Sequence, residues 1–125
     1  MRSTNFEKVQ DFQHEVLGNN TPLSPRMPPD PMHELRCLQE ELYELASAVQ
    51  QDDVVDAADA VIDLIYFAYG LGFKMGLPMD ELFDVVHQAN MTKVRGKTKR
   101  GHDDDAAKPE GWVDPRTRIA EILRP

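Results

Sequence analysis

Residues 38–63 read LQEELYELASAVQQDDVVDAADAVID, and this stretch decides the fold. In its first half the apolar residues have the spacing of a buried helix face, at Leu38, Leu42, Leu45 and Val49. From its second half onward to residue 69, apolar residues nearly encircle a helix, which predicts the central and most buried helix of the molecule. Only two or three residues near Gln51 separate the two segments, so we expect an antiparallel helical hairpin.

Acidic residues accompany both helices of this predicted hairpin. They are Glu40, Glu41 and Glu44 in the first helix and Asp56, Asp59 and Asp63 in the second. The aspartates have the spacing i, i+3 and i+7, which places them on one narrow stripe of a helix. The two sets lie at similar distances before and after Gln51, so an antiparallel hairpin brings them to the same level.

Carboxylates that lie this close repel one another, and either some of them take up protons or a cation neutralises them. Hard divalent ions prefer oxygen ligands, and Mg²⁺ in particular is held by a few carboxylates together with substrate phosphates. The pattern therefore predicts a Mg²⁺ or Mn²⁺ site. The alternative is that each acidic stripe is only the solvated face of an amphipathic helix.

Length and composition are those of an ordinary globular protein. The 125 residues are 41% hydrophobic and 29% charged, which predicts one domain, residues 1–125. The net charge of −8 argues against a nucleic-acid-binding module, because neutralised phosphates supply most non-specific affinity for nucleic acids. No apolar stretch is long enough to cross a membrane, and the single cysteine fits a reducing compartment, so we expect a soluble cytoplasmic protein.

The rest of the chain predicts further helices and no strand. Residues 5–18 form an amphipathic helix, and five prolines make residues 19–31 an extended connection. The hairpin helices run from about residue 32 to 50 and then on to about residue 76. A fourth helix begins at Pro78, residues 95–112 form a polar loop, and a short helix covers residues 114–123. The expected fold is an all-α bundle of four to five helices.

Two motifs of the hairpin resemble signatures of a known enzyme family. EELYEL (residues 40–45) and DAADAVIDLIY (56–66) are similar to the EExxE and ExxD motifs of MazG-like nucleoside triphosphate pyrophosphohydrolases. The similarity continues through residues 66–94, which include an Asn-x-x-Lys element, to KPEGWVDPRTRIAEIL (108–123). That last segment resembles the Lys-Pro-x-x-Trp tail of MazG-like dUTPases and phage relatives. The resemblance implies an all-α pyrophosphatase fold, hydrolysis of a nucleoside triphosphate to its monophosphate and pyrophosphate, and Mg²⁺ or Mn²⁺ as cofactor.

The resemblance also implies roles for the glutamates. Glu41 and Glu44 take the positions of the metal-binding ExxE pair, and Glu40 is the additional glutamate of the motif. One of the three orients or deprotonates the attacking water, with Glu41 or Glu44 preferred over Glu40.

The aspartates fit the family motif in two registers. DAAD places Asp56 and Asp59 at ExxD spacing, although the first acid is then Asp instead of Glu. Alternatively, Asp63 is the final aspartate of the motif, and the position three residues earlier is then Ala60, which cannot be a ligand. The aspartate ligands are therefore either Asp56 with Asp59 or Asp59 with Asp63, and both alternatives stay open at this point.

Substrate contacts are expected after the acidic motifs. Matched positions and neighbouring polar residues give the candidates Tyr66, His87, Asn90, Lys93, Lys97, Arg100, Lys108 and Trp112. In relatives, the residues matching Asn90 and Lys93 contact the nucleotide, and the lysine is expected at a phosphate. Each candidate also has an ordinary alternative: Tyr66 as a core aromatic, and Trp112 as the residue that fixes the tail.

The resemblance leaves the substrate and some competing functions open. A deoxynucleoside triphosphate such as dGTP or dUTP is expected, and family members of this kind associate as dimers or tetramers, so we expect a homo-oligomer, a tetramer before a dimer. The competing functions are a phosphoribosyl-ATP pyrophosphohydrolase, which the tail elements disfavour, and a non-catalytic helical module that binds a basic partner in an acidic groove.

Overall fold

The computed structural model describes residues 3–124 of the chain. Helices occupy most of them: α1 (Asn5–Glu15), α2 (Pro31–Gln50), α3 (Val54–Lys74), α4 (Met79–Asn90) and α5 (Arg116–Leu123). Two short strands, β1 (Val94–Gly96) and β2 (Asp105–Ala107), lie between α4 and α5. The predicted all-α class is confirmed. No helix within residues 3–124 has both the length and the apolar character needed to cross a bilayer.

The α2–α3 hairpin forms as predicted, and side-chain caps define its two helix starts. The Asp30 side chain, directly before Pro31, accepts a hydrogen bond from the backbone amide of His33. The Asp53 side chain accepts one from the backbone amide of Asp56. Asp52, with φ 53°, makes the tight turn between the helices. At the other end of the hairpin an ion pair joins the start of α2 to the end of α3, so the two helices are antiparallel.

Helix α3 ends at Lys74, slightly before the predicted end at Gly76, because a glycine-based cap stops it. Gly76 has φ 69°, its amide donates to the Phe73 carbonyl, and the Leu77 amide donates to the Gly72 carbonyl. This is the Schellman arrangement, which needs a residue that tolerates a positive φ. A Cβ at Gly76 would also lie 2.9 Å from the Ser24 carbonyl oxygen, so the proline-rich connection packs closely against this cap.

The small core lies where α1 packs against α3. Phe6 and Val9 of α1 and Phe73 of α3 are buried, and the Phe6 ring lies 5.8 Å from the Tyr69 ring. Gln13 is buried as well, and its side-chain oxygen accepts a hydrogen bond of 2.8 Å from the Asn19 amide group. The partner matters because an unsatisfied buried amide would cost about 1–3 kcal/mol.

The predicted apolar face of α2 is partly wrong. Leu42 and Val49 are exposed by 56% and 66%, whereas Ala48 is buried and Leu38 and Leu45 are half-buried. The side of α2 that faces α3 consists of Glu34, Leu38, Glu41, Leu45 and Ala48, spaced alternately by four and three residues. An acid of the motif therefore occupies an inward position that the sequence pattern assigned to leucine.

The burial predicted for α3 is also wrong for a single chain. Helix α3 does lie centrally, with contacts to both α1 and α2. However, Val54, Val55 and Ile62 remain 77%, 78% and 59% exposed. The apolar excess of this helix thus remains on the surface of the single chain, and Leu42 of α2 is exposed as well.

The described residues divide into two compact units, one ending at Met79 and the other beginning at Asp80. That both belong to one domain stays a prediction. In the second unit, Leu82, Val85 and Ala89 of α4 are half-buried and have the spacing of one helix face, while Val86 is 38% exposed. The predicted polar loop at residues 95–112 is wrong in part, because it contains most of an antiparallel hairpin.

In this β-hairpin, Val94 pairs with Ala107 and Gly96 with Asp105. The sequence gives no strand signal there, because Gly, Ala and Asp are poor strand formers and the apolar residues do not alternate. Hydrogen bonds between side chains at one end of the hairpin stabilise the pairing of β1 with β2 instead. Asp105 accepts a hydrogen bond from Thr98 and two from Arg100.

Candidate active site

Five carboxylates gather in the α2–α3 hairpin. This acidic cluster consists of Glu41, Glu44, Asp56, Asp59 and Asp63. Helix α2 presents its two glutamates nearly one turn apart, and α3 presents its three aspartates along one stripe. A cavity of about 280 Å³ opens beside the cluster at the turn end of the hairpin. Its lining consists of Glu44, Ser47, Ala48, Gln51, Asp56 and Asp59.

Glu41 is the most constrained member of the cluster. Its Oε2 atom is buried and has no hydrogen-bond partner within residues 3–124. Partial burial, then the charge and a hydrogen bond of Glu44, then the charges of Asp63 and Asp59 raise the pKa of Glu41 above its ordinary value. The repulsion crosses from one helix to the other, as the antiparallel arrangement predicts.

Asp56 shows the same effect nearer the turn. The charge and a hydrogen bond of Asp53 raise the pKa of Asp56, and partial burial and the charges of Asp59 and Glu44 add to the rise. The charge of Asp59 therefore contributes to the raised pKa of both Glu41 and Asp56, whereas the charge of Asp63 contributes to that of Glu41.

The donor chemistry of the cluster suits a hard divalent cation. All five side chains offer carboxylate oxygens, which Mg²⁺ and Mn²⁺ prefer over nitrogen or sulfur. The orphaned Oε2 of Glu41 is a buried acceptor that a cation would satisfy. Within residues 3–124 no three acidic, histidine or cysteine side chains already converge on one point, so these side chains would have to rotate inward to share an ion.

The other candidates from α2 and α3, Glu40 and Tyr66, have their own surroundings. Glu40 is exposed and is not among the groups that shift the pKa of Glu41 or Asp56. Tyr66 packs edge-on against Phe12, with 5.5 Å between ring centroids, and lines a mainly apolar cavity of about 280 Å³ with Ile62. Its ring is 37% exposed, so it has both core contacts and an accessible edge.

In the second unit, His87 and Asn90 are exposed on the last turn of α4. The Asn90 carbonyl accepts a hydrogen bond from the Lys93 amide, which closes the turn after the helix. Lys97 is exposed in the β-hairpin loop. These positions leave the side chains of His87, Asn90 and Lys97 accessible to a ligand.

Arg100 is engaged within the chain. Its guanidinium donates two hydrogen bonds of 2.7 Å to the carboxylate of Asp105. This bidentate pair, the Thr98 hydroxyl and the Ala106 amide hold the pKa of Asp105 well below its usual range. The structure thus assigns Arg100 a role in closing the hairpin, which the sequence did not predict.

Three further candidates come together around one aromatic ring, and we call them the lysine–tryptophan cluster. The ammonium groups of Lys93 and Lys108 lie 5.2 and 5.0 Å from the centre of the Trp112 ring. The indole N–H donates to the Ala89 carbonyl at 2.9 Å, near the end of α4. The ring is therefore anchored at the end of α4 by its indole N–H, with the two lysine ammonium groups over it.

Sequence reasoning missed the contact that closes the open end of the helical hairpin. The Lys74 ammonium bonds the Glu34 carboxylate at 2.5 Å, and the two side chains are only 25% and 10% exposed. The sequence contains an indication of this contact, because Glu34 lies seven residues before Glu41 and therefore on the same face of α2. A cavity of about 420 Å³ adjoins this ion pair.

Comparison with known proteins agrees with the hairpin geometry. The sequence model of one family, described as phosphoribosyl-ATP pyrophosphohydrolase, matches residues 9–90. The match includes the whole acidic cluster and ends before Lys93, the first residue of the lysine–tryptophan cluster. A search of individually curated proteins gives no significant match. The chain therefore belongs to the phosphoribosyl-ATP pyrophosphohydrolase family, within the MazG-like all-α pyrophosphatases, and is a hydrolase that acts on phosphoric anhydrides.

Proposed function

We propose that this chain is a metal-dependent pyrophosphohydrolase that converts a deoxynucleoside triphosphate, such as dGTP or dUTP, to its monophosphate and pyrophosphate. The observation that carries the proposal is the acidic cluster with the buried, unpartnered oxygen of Glu41. A group of carboxylates that lacks a nearby base is typical of a site completed by a cation and a phosphate substrate.

The acidic cluster supplies the metal ligands in this proposal. Glu41 and Glu44 from α2, with Asp59 and either Asp56 or Asp63 from α3, would hold Mg²⁺ or Mn²⁺. A bound divalent ion neutralises phosphate charge and lowers the pKa of coordinated water. The surrounding helices hold the backbone of all five carboxylates, so only their side chains would have to rotate inward to share an ion.

A carboxylate oxygen of one glutamate would orient the attacking water and take its proton. Glu41 or Glu44 suits this role because both belong to the acidic cluster that would hold the metal. Glu40, which is exposed, is the third candidate. The water oxygen then bonds to phosphorus as the bond to the departing phosphate oxygen breaks.

The deoxynucleotide substrate is supported by the Lys-Pro-x-x-Trp tail, which lies beyond the matched residues 9–90. The family match itself favours a second candidate, phosphoribosyl-ATP, because that substrate gives the family its description. Both substrates carry a triphosphate, so the acidic cluster suits either one. The difference between them must come from residues that contact the base and sugar.

A homo-oligomer, a tetramer before a dimer, is supported by the exposed apolar surface of α2 and α3. Leu42, Val55 and Ile62 contribute to this surface and are each more than half exposed. Apolar patches of this kind often mark association surfaces in soluble proteins. Light scattering coupled to gel filtration measures the oligomeric state directly.

The activity test uses purified protein with Mg²⁺ or Mn²⁺, a panel of the four canonical deoxynucleoside triphosphates and dUTP, and phosphoribosyl-ATP. Release of monophosphate and pyrophosphate from one deoxynucleotide, well above the rate with phosphoribosyl-ATP, supports the proposal. Preference for phosphoribosyl-ATP replaces it with the second candidate. No turnover of any substrate, together with no metal binding by calorimetry, would leave the non-catalytic binding module.

A further inference from the structure

A cavity of about 150 Å³ lies between α1 and the α2–α3 hairpin, and we call it the Gln13 cavity. Residues of all three helices line it, among them the aromatic residues Phe12 and Phe67. Gly70 lies on its wall without a side chain, which keeps the space beside Gln13 open. A cavity of this volume holds one six-membered ring such as benzene. The Gln13 cavity is therefore large enough for a single planar ring, which aromatic residues bind by stacking.

Gln13 presents unused hydrogen-bond donors in this cavity. The residue is only 5% exposed, and its side-chain oxygen accepts a hydrogen bond from the Asn19 side chain. Its Nε2 atom makes no hydrogen bond within residues 3–124 and lies 3.3 Å from the position that a Cβ atom would take at Gly70. Buried polar groups normally have partners, so an acceptor on a ligand would satisfy this amide group.

The ion pair of Glu34 and Lys74 supplies further polar groups of the cavity. The Lys74 ammonium bonds Oε1 of Glu34, so the carboxylate keeps Oε2 as an acceptor and the ammonium keeps further N–H donors. Both side chains are mostly buried, which strengthens hydrogen bonds to a ligand that displaces water. The Gln13 cavity thus combines donors on Gln13 and Lys74 with an acceptor on Glu34.

These groups complement the polar edge of a pyrimidine base. Uracil, thymine and cytosine each present two acceptors and one donor along that edge, and proteins read a single base by hydrogen bonds to its edge and by stacking on its faces. Two donor groups and one acceptor in the cavity match this count. A purine has a second fused ring, for which the volume of the Gln13 cavity is too small.

The position of the cavity along the hairpin suits a nucleotide. Cys37 and Tyr66 line the cavity, and they lie four residues before Glu41 and three residues after Asp63 of the acidic cluster. Each separation is about one helical turn, which is about 5.4 Å along the helix axis. A nucleotide with its base in the cavity would therefore extend its sugar and phosphates toward the acidic cluster.

We propose that the Gln13 cavity is a binding site for a pyrimidine base and that Gln13, Glu34 and Lys74 are its hydrogen-bonding residues. The base can belong to the substrate or to a free nucleoside, because both carry the same ring. Its assignment to the substrate rests on the proposed function and favours dUTP over dGTP. Binding of the ring itself requires neither a metal ion nor catalysis.

The first experiment titrates the full, metal-free chain with nucleosides by calorimetry. Nucleosides lack phosphate, so their binding does not need the acidic cluster. We expect deoxyuridine and deoxycytidine to bind about fivefold or more tightly than deoxyguanosine and deoxyadenosine, because one ring fits the cavity and two do not. Equal or tighter binding of the purine nucleosides would overturn the proposal, as would the absence of binding by all four.

A competition between deoxyuridine and dUMP, with Mg²⁺ present, identifies the source of the ring. If dUMP displaces deoxyuridine, the cavity holds the base of a nucleotide. If the affinity for deoxyuridine is the same with and without saturating dUMP, the cavity holds a free nucleoside and its assignment to the substrate is refuted.

Two substitutions assign the binding to the cavity. Gly70→Ala should weaken deoxyuridine binding about fivefold or more, because the added Cβ narrows the space beside Gln13, while alanine favours the helix and so maintains folding. Gln13→Met removes the donors at similar volume and should weaken binding by a similar factor. Gln50→Met, at an exposed position of α2, is the matched control and should change the affinity by less than about twofold. Thermal unfolding identifies any loss that comes from misfolding, and wild-type affinity in both cavity variants would refute the site.

The outcomes also separate this proposal from the proposed function. Deoxyuridine binding that depends on Gln13 and Gly70, without turnover of any nucleotide, would support the site and refute the catalytic proposal. Turnover that depends on Glu41, with no nucleoside binding and no effect of Gly70→Ala on the KM for any deoxynucleotide, would do the reverse.

Discussion

The α2–α3 hairpin and the β1–β2 hairpin both bring charged side chains together, but their charge balance is opposite. In the helical hairpin, Glu41 faces Glu44 and two aspartates, and burial and repulsion raise its pKa. In the β-hairpin, Asp105 accepts hydrogen bonds from Thr98 and Arg100, and its pKa is lowered. Both hairpins join elements that are close in sequence, so the difference lies in the residues that face one another.

This difference separates charges that hold the structure from charges that are available to a ligand. Asp105 has partners within its own hairpin and stabilises a strand pair that has little apolar contact of its own. Among residues 3–124 no lysine or arginine forms an ion pair with the acidic cluster, and folding brings its members together in spite of their repulsion. Perturbed acids of this kind are frequent at functional sites, although they also occur in structural networks.

The strongest test of this comparison is Glu41→Gln. If the cluster is the active site, this change should lower kcat by about 100-fold or more, because a metal ligand or general base is lost. The folded protein should be as stable as the wild type or more stable without metal, since the substitution removes repulsion. The assay measures monophosphate release and urea unfolding side by side.

The control for Glu41→Gln is Glu15→Gln, which removes the same charge from an exposed position at the end of α1. It should leave kcat within about twofold. A variant of Glu41 that loses stability instead of activity would show that the carboxylate is structural, like that of Asp105.

Much of the helical hairpin could be predicted from the sequence. The apolar spacing, the caps Asp30 and Asp53 and the short connection define α2, α3 and their antiparallel packing. The inward face of α2 could not be assigned correctly. The hydrophobic pattern predicts that Leu42 faces inward, whereas the neighbouring Glu41 takes that position in the structure. The exposure of Leu42 shows that this pattern also encodes a surface outside the single-chain core.

The candidate site was predictable where it depends on helix geometry. Glu41 and the aspartates lie at similar distances in sequence from the turn, which places Glu41 near Asp59 and Asp63 in an antiparallel hairpin. The raised pKa of Glu41 agrees with that placement. The β-hairpin was not predictable, because its strands are short and polar and are held by Asp105, whose partners follow no periodic pattern. The ring contacts of Trp112 depend on that hairpin and were missed for the same reason.

A second test concerns the ion pair at the open end of the helical hairpin, where charge is compensated as in the β-hairpin. Lys74→Met should lower the free energy of unfolding by about 2 kcal/mol, because it leaves the nearly buried Glu34 carboxylate without its partner. Lys8→Met, at an exposed position of α1, is the control and should lower the free energy of unfolding by less than about 0.5 kcal/mol. Urea unfolding measures both.

The double variant Glu34→Leu with Lys74→Met should recover part of the lost stability, since no unpaired charge remains. If Lys74→Met alone leaves the free energy of unfolding unchanged, the ion pair does not stabilise the hairpin. A partner of opposite charge would then not distinguish Glu34 from the carboxylates of the acidic cluster.

A third test distinguishes the two motif registers. Asp59 belongs to the acidic cluster in either register, so Asp59→Asn should lower kcat/KM the most. Of Asp56 and Asp63, the residue that binds the metal should lower kcat/KM about tenfold when it is replaced by Asn. Replacement of the other should lower kcat/KM about threefold or less. Assays at several Mg²⁺ concentrations show whether excess metal rescues each variant. If Asp59→Asn has the smallest effect of the three, both registers are wrong.

The smallest expected effect is a pH dependence of opposite sign in the two hairpins, measured by urea unfolding of the metal-free protein between about pH 3 and 7. A raised pKa means that the folded state binds the proton more tightly, so Glu41 makes stability fall as pH rises above its ordinary value of 4.5. The lowered pKa of Asp105 makes its contribution complete above the ordinary value of 3.8 and lost as pH falls below it. Glu41→Gln should flatten only the upper fall, and Asp105→Asn only the lower one. Added Mg²⁺ should oppose the upper fall, because ionised carboxylates bind the cation. If Asp105→Asn also removes the upper fall, the two hairpins do not titrate independently, and the contrast in charge balance does not hold.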